Sequence, residues 1–196
     1  MIGFYTSLFM FAWSYCKTSC TNPGQIPLYW GFRKGDSSET RKRYCVICNL
    51  FKPDRTHHCS TCNVCVLNMD HHCPWLNSCI GFWNRKSFIL VLFYLNCMFL
   101  WWLISMWREY WNILYGLWTV ATTFEPPAAY LAPNATRVII FQIFIMFVLF
   151  FWALQLKFTT YHLILLFNNK TTIGMLAHKN RPYRSEFDMG NHRNFT

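Results

Sequence analysis

The stretch CVICNLFKPDRTHHCSTCNVCVLNMDHHCPWLNSC, residues 45–79, decides the fold. It holds seven cysteines (Cys45, Cys48, Cys59, Cys62, Cys65, Cys73 and Cys79) and four histidines (His57, His58, His71 and His72), with no long apolar run. A segment so poor in apolar side chains cannot build its own core, and bound metal supplies the missing stability. A disulfide framework is the competing explanation, but an odd number of cysteines interleaved with histidines fits it poorly. Structural zinc wants four Cys or His ligands in a tetrahedron. Cys45-x2-Cys48 and Cys59-x2-Cys62 are two ligand knuckles at the usual spacing.

Two Cys3His sites consume six cysteines and two histidines. An interleaved partition gives Cys45, Cys48, His58 and Cys65 to one ion, and Cys59, Cys62, His72 and Cys79 to the other. Spacing alone neither proves this partition nor chooses between His57 and His58. The remainder carries the chemistry. Cys73 sits beside a ligand histidine, with Asp70 and His71 immediately upstream. An imidazole oriented by a carboxylate can deprotonate a neighbouring thiol.

Outward from this stretch the chain turns apolar. Phe88 to Trp107 carries no charge, and Val138 to Leu156 has Gln142 and Gln155 as its strongly polar members. Each approaches the ~20 residues that cross a bilayer core. Met1 to Cys16 is apolar but short; without a basic start or a small-residue cleavage site, it reads as a partial or tilted transmembrane helix rather than a signal peptide. Composition agrees, with 54% hydrophobic, 20% aromatic and 13% charged residues. The net charge of +10 is unevenly placed. Lys17 to Lys86 holds ten Lys and Arg against four acids and the tail from Lys157 holds six, whereas the segment between the long spans has only Arg108 and Arg137. The positive-inside rule therefore puts the Cys-rich segment and the tail in the cytosol. Their basic residues then face anionic lipid rather than nucleic acid.

The expected fold is an α-helical multi-pass membrane protein with a cytosolic, zinc-stabilised Cys-rich domain of short hairpins and loops. Its predicted parts are a transmembrane helix at 1–16, a cytosolic linker at 17–44 containing the charged stretch Arg33 to Arg43, and the Cys-rich domain at 45–87. A span at 88–107, a lumenal loop at 108–137, a span at 138–156 and a cytosolic C-terminal region at 157–196 follow. No repeat of span length is present, although the Cys spacing echoes itself locally.

From Cys45 to Phe88 the chain resembles the DHHC-type protein S-acyltransferases (palmitoyltransferases). The resemblance is carried by the cysteine knuckles, Lys52-Pro53, Arg55 and His58-Cys59, then by Asp70-His71-His72-Cys73-Pro74-Trp75, Asn77, Cys79, Gly81, Asn84 and Phe88. Ser78 stands where the family usually has a second Asn. Weaker echoes are Asn22-Pro23-Gly24 for the family's Asp-Pro-Gly, Thr171-Thr172-Ile173-Gly174 for its Thr-Thr-x-Glu, and Phe187-Asp188-Met189-Gly190 with Asn194 for its C-terminal contact motif.

The resemblance implies that Cys73 takes an acyl group from acyl-CoA (palmitoyl-CoA) as a thioester and passes it to a substrate cysteine, with Asp70 and His71 polarising it. It implies two structural zinc ions on the partition above. Trp75 and Phe88 would lie near the mouth of an acyl cavity. Phe88, Val91, Leu95 and Met98 share one face of the following helix over ~15 Å and would line its path. The implied partners are the lipid bilayer, acyl-CoA and membrane-associated substrate proteins with cytosolic cysteines. The implied location is the endoplasmic reticulum, the Golgi or the plasma membrane. The family normally has two spans before its zinc region and this chain has one at most, so an N-terminally truncated form is expected. A RING-type ubiquitin ligase is a different class of zinc protein, but its pattern closes on another Cys-x2-Cys knuckle, and here the last cysteines are Cys73 and Cys79. A non-catalytic scaffold that kept the zinc fold would not need Asp70, His71 and Cys73 together.

Overall fold

The computed structural model describes residues 2–32, 38, 43–123, 127–177, 185–190 and 193–194. Apart from position 38, the stretch 33–42 of the expected linker lies outside them. Among the described residues, four α-helices, α1 (Ile2–Cys20), α2 (Arg85–Thr123), α3 (Pro127–Phe167) and α4 (Thr172–Ala177), accompany six short strands. These strands are β1 (Tyr44–Cys45), β2 (Leu50–Phe51), β3 (His57–Cys59), β4 (Val64–Val66), β5 (His71–Cys73) and β6 (Ser78–Ile80). The chain divides into two compact units, Met1–Phe9 with Phe93–Phe158, and Met10–Leu92 with Thr159–Thr196.

The first unit is helical. Arg85–Gly116 and Thr136–Phe167 are long and apolar enough to cross a membrane, and only 6% of the latter's most apolar window is buried. Ile139, Ile140, Ile143, Phe147 and Phe150 are exposed, as side chains facing lipid rather than water would be. α1 is not among these candidate spans; it carries Thr6, Ser7, Ser14 and Lys17 among its apolar residues. The segment expected as a loop at 108–137 is largely helical, because α2 continues to Thr123 and α3 begins at Pro127. No proline interrupts the chain after Arg108 until Pro126, and a proline is tolerated in the first turn of a helix. Arg137 Nη2 meets Glu109 Oε2 at 2.8 Å, joining the two helices.

The second unit is built on three antiparallel hairpins, β1–β2, β3–β4 and β5–β6. Each turn closes on an asparagine in the left-handed region, Asn49, Asn63 and Asn77, a conformation asparagine tolerates better than most residues. The part of the linker nearest the hairpins packs against them: Gln25 bridges Val66, and Ile26 is buried with Cys45 and Cys65. Asn22 Oδ1 accepts the Gly24 N–H at 2.9 Å, fixing the turn that turns α1 toward the hairpins.

Asn84 ties the unit together. It is fully buried, accepts the Gly81 N–H at 2.9 Å, and donates to the carbonyls of Cys79 at 2.9 Å and Thr18 at 3.2 Å. One carboxamide thus holds α1, the third hairpin and the start of α2. Beneath the third hairpin, Cys73, Leu76, Ile80, Phe88, Ile89, Leu92 and Leu166 form a core.

Candidate active site and metal clusters

The hairpins assemble the two expected ligand sets. Strand register pairs His58 with Cys65 and His72 with Cys79. His58 Nδ1 lies 3.2, 3.7 and 3.9 Å from the sulfurs of Cys48, Cys45 and Cys65. His72 Nδ1 lies 3.4, 3.7 and 3.8 Å from those of Cys62, Cys79 and Cys59. Ligands held at zinc bond lengths on a tetrahedron stand about 3.5–3.8 Å apart, so both sets have the dimensions of a zinc site. Burial, then the adjoining sulfurs of Cys45 and Cys48, push the Cys65 thiol up to about 12. Burial, then Cys59 and Cys62, raise Cys79 likewise. Sulfurs this close ionise together only around a cation, and both clusters can hold one. The ambiguity between His57 and His58 resolves on strand alternation: successive side chains face opposite sides, and His58 faces the sulfurs.

Cys73 belongs to neither cluster. It is buried in the third hairpin with Asp70 and His71 at hand. His71 Nδ1 meets Asp70 Oδ2 at 2.8 Å. His71 also interacts with the Cys73 side chain. Burial works to lower His71, but the bonds to Asp70 and Cys73 outweigh it and hold it at about 9. Burial works to raise the Cys73 thiol. The bond to His71 and the backbone N–H of Leu76 overcome this and bring it below its ordinary value. Asp70 is also buried, yet His71, the Arg85 charge and Thr172 bring it down to about 2. The arrangement is a carboxylate, an imidazole held toward its cation and a thiol whose ionisation that imidazole eases.

Three residues stand around Asp70 that the sequence does not link to it, one of them Thr172 of the Thr171-Thr172-Ile173-Gly174 motif. Thr172 donates its backbone N–H to Oδ1 at 3.0 Å and its hydroxyl to Oδ2 at 2.8 Å. Arg85 stands 3.6 Å from Oδ1 and donates to the Lys170 carbonyl. His162 Nδ1 is 3.7 Å from Oδ2, and its ring packs on both His71 and Phe88 with centroids 5.3 and 5.2 Å apart. The available signal for Arg85 and His162 was an ionisable side chain inside or at the edge of an apolar run, which marks function by default, and for Thr172 the Thr-Thr motif. Asp70, His71 and His162 also bring potential ligand atoms close together, but the Arg85 charge and the Thr172 donors already satisfy that carboxylate.

The residues expected to line an acyl path are distributed between the units. Phe88 is buried against His71 and His162, and Val91 is also buried. Trp75 follows Cys73 in a single 3₁₀ turn and is 87% exposed, with its carbonyl accepting the Tyr15 hydroxyl at 2.8 Å. In the helical unit, Leu95 and Met98 line a cavity of about 270 Å³ with Phe4, Phe99, Trp102, Phe144 and Val148. The C-terminal motif docks within the second unit: Arg55 lies 4.0 Å over the Phe187 ring and donates to Asn169, while Asn194 donates to the Phe167 carbonyl.

Comparison with known proteins agrees with this architecture. Probable protein S-acyltransferase 13 of Arabidopsis thaliana is 32% identical over 108 residues, covering 46% of this chain and 36% of that protein. Palmitoyltransferase ZDHHC20-A of Danio rerio is 30% identical over 232 aligned positions, covering 100% of this chain and 60% of that protein. Palmitoyltransferase ZDHHC20 of Mus musculus is 31% identical over 205, covering 88% and 53%. The chain thus spans less than two thirds of the length of each of these relatives. The family model for DHHC palmitoyltransferase matches residues 38–179, a region containing both Cys/His clusters, the Asp70–His71–Cys73 constellation and both long apolar helices; the chain belongs to the DHHC palmitoyltransferase family.

Proposed function

We propose that the chain is a protein S-acyltransferase that moves a fatty acyl group from acyl-CoA to protein cysteines through a thioester on Cys73. The supporting observation is the ordered chain from Asp70 through His71 to a buried cysteine that neither metal cluster uses. The Cys73 sulfur attacks the carbonyl carbon of the acyl-CoA thioester. The carbonyl re-forms, the bond to the CoA sulfur breaks, and His71 gives its proton to the departing thiolate. In the second half, His71 takes the proton of a substrate cysteine. That sulfur attacks the acyl group and Cys73 leaves as the thiolate, which restores the starting state. Asp70 remains ionised throughout and keeps the His71 ring aligned.

Zinc at the two Cys3His clusters would supply folding stability by closing loops of a domain with little apolar core. Cys45, Cys48, His58 and Cys65 would hold one ion, and Cys59, Cys62, His72 and Cys79 the other. Within the second unit Phe88 lines the site beside His71; within the first, the apolar cavity at Leu95 and Met98 suits an alkyl chain. The charge asymmetry supports a cytosolic Cys-rich unit in an endomembrane or the plasma membrane, acting on cytosolic cysteines of membrane-associated proteins.

The test is a two-stage reaction of the full chain in detergent. Labelled palmitoyl-CoA is added first, excess donor is removed, and a cysteine-containing lipidated peptide follows. Hydroxylamine-sensitive label should appear on the chain and then move to the peptide. Label that reaches the peptide only while acyl-CoA is present, with none on the chain, would refute the two-step route.

A further inference from the structure

The two metal knuckles and the hairpin that carries Cys73 share one frame. Aligned on Cys45, Cys59 and Cys73, the segments 43–56, 57–70 and 71–84 read RYCVICNLFKPDRT, HHCSTCNVCVLNMD and HHCPWLNSCIGFWN, a period of 14 residues. The backbone keeps the same period. Cys45 pairs with Leu50, Cys59 with Val64 and Cys73 with Ser78. The turn asparagines Asn49, Asn63 and Asn77 have φ of 55°, 54° and 46°. In the second copy the leading sulfur of Cys59 accepts the N–H three residues on, from Cys62, at 3.4 Å.

The side chain three residues after the leading cysteine breaks the pattern. Cys48 and Cys62 supply the second sulfur of their clusters, whereas Leu76 is buried in the core with Cys73, Ile80 and Phe88. We propose that the β5–β6 hairpin is a third copy of the metal knuckle, and that Leu76 is the residue that keeps a metal ion off Cys73 and reserves its sulfur for covalent chemistry. The rest of the frame agrees. The first knuckle completes its set with His58 and Cys65 of the next hairpin, and the second with His72 and Cys79. The corresponding positions after the third are Lys86 and Phe93, where α2 has replaced a hairpin. His71 is the nitrogen donor at Cys73. A thiol at position 76 would therefore complete a Cys2His set, which zinc accepts with an open fourth position.

This inference rests on the proposed function only for the role given to Cys73, and its test does not use acyl transfer. The full chain is purified in detergent with zinc supplied, as wild type, Leu76→Cys and Leu76→Ala. Metal per chain is measured by elemental analysis, and maleimide alkylation of Cys73 by peptide mass spectrometry. Leu76→Cys should carry one more ion per chain than Leu76→Ala, and its Cys73 should react about tenfold more slowly or less, because the metal occupies the thiolate. Equal metal in the two variants, or an extra ion that leaves Cys73 as reactive as in Leu76→Ala, overturns the proposal. Loss of zinc from both variants overturns it too, since Leu76 would then act through packing. A chain that never forms an acyl thioester but gains the third ion with Leu76→Cys would sink the acyltransferase reading and leave this one standing.

Discussion

Thr172 places both of its donors on the carboxylate of Asp70, across 102 residues of chain, with its N–H on Oδ1 and its hydroxyl on Oδ2. The carboxylate therefore cannot rotate away from His71, which takes Oδ2 at 2.8 Å. A helix that begins beyond the second long apolar segment thus orients the imidazole next to Cys73.

Removing the hydroxyl of Thr172 should loosen that orientation without dismantling the fold. A hydrogen bond to a charged group is worth about 1.5–3 kcal/mol. Thr172→Val should therefore slow acylation of Cys73 by roughly tenfold or more. The KM for acyl-CoA and the zinc content should be unchanged, and Thr172→Ser should restore the rate. A Val variant acylated at the wild-type rate would remove the hydroxyl from the mechanism.

Stability should respond most strongly at Asn84. Asn84→Ala leaves the Gly81 N–H and the Cys79 and Thr18 carbonyls without their shared partner. Each unsatisfied buried group costs about 1–3 kcal/mol, and partial hydration reduces the total, so the expected loss is about 2–4 kcal/mol. Thermal unfolding of the detergent-solubilised chain measures it. A Tm within error of wild type would show that the clasp is redundant.

Two zinc ions per chain are expected by elemental analysis. His72→Ala and Cys59→Ser should each lose the ion of the second cluster and expose the hairpins to protease, because metal binding and folding are one equilibrium here. His57→Ala should keep both ions. Loss of metal with His57→Ala and retention with His58→Ala would reverse the ligand assignment.

The zinc ligands, Cys73 and the residues around Asp70 differ in how far the sequence alone reveals them. The knuckles were legible because Cys45 and Cys48, or Cys59 and Cys62, are local pairs whose spacing is itself the signal. The choice of His58 needed strand register, which spacing does not carry. Cys73 was legible as the cysteine left over after two tetrahedra. Arg85 and His162 were not, and the motif holding Thr172 did not name its partner, because each reaches Asp70 through tertiary packing rather than through a local pattern. The extents of α2 and α3 were underestimated because hydropathy marks where a bilayer would lie and not where a helix stops. The threefold frame of the hairpins was audible only as an echo in the Cys spacing, since Leu76 removes the cysteine that would have made it plain.

The cavity at Leu95 and Met98 gives a test of chain-length choice. Met98→Trp fills part of a space of about 270 Å³ and should favour shorter acyl-CoAs, whereas Met98→Ala should admit longer ones. Competition among saturated acyl-CoAs, scored on acyl-enzyme formed, measures the preference. An unchanged ranking in both variants would exclude this cavity from the acyl path.

The central claim is that Cys73 is the acyl carrier. Its most direct test is mass spectrometry of the full chain after one turnover with palmitoyl-CoA and no protein acceptor, with Cys73→Ser run in parallel. The account predicts one hydroxylamine-labile acyl group on the peptide containing Cys73, none on any peptide of Cys73→Ser, and two zinc ions in both proteins. An acyl group that resides on another cysteine, or that persists at full level in Cys73→Ser, would contradict it.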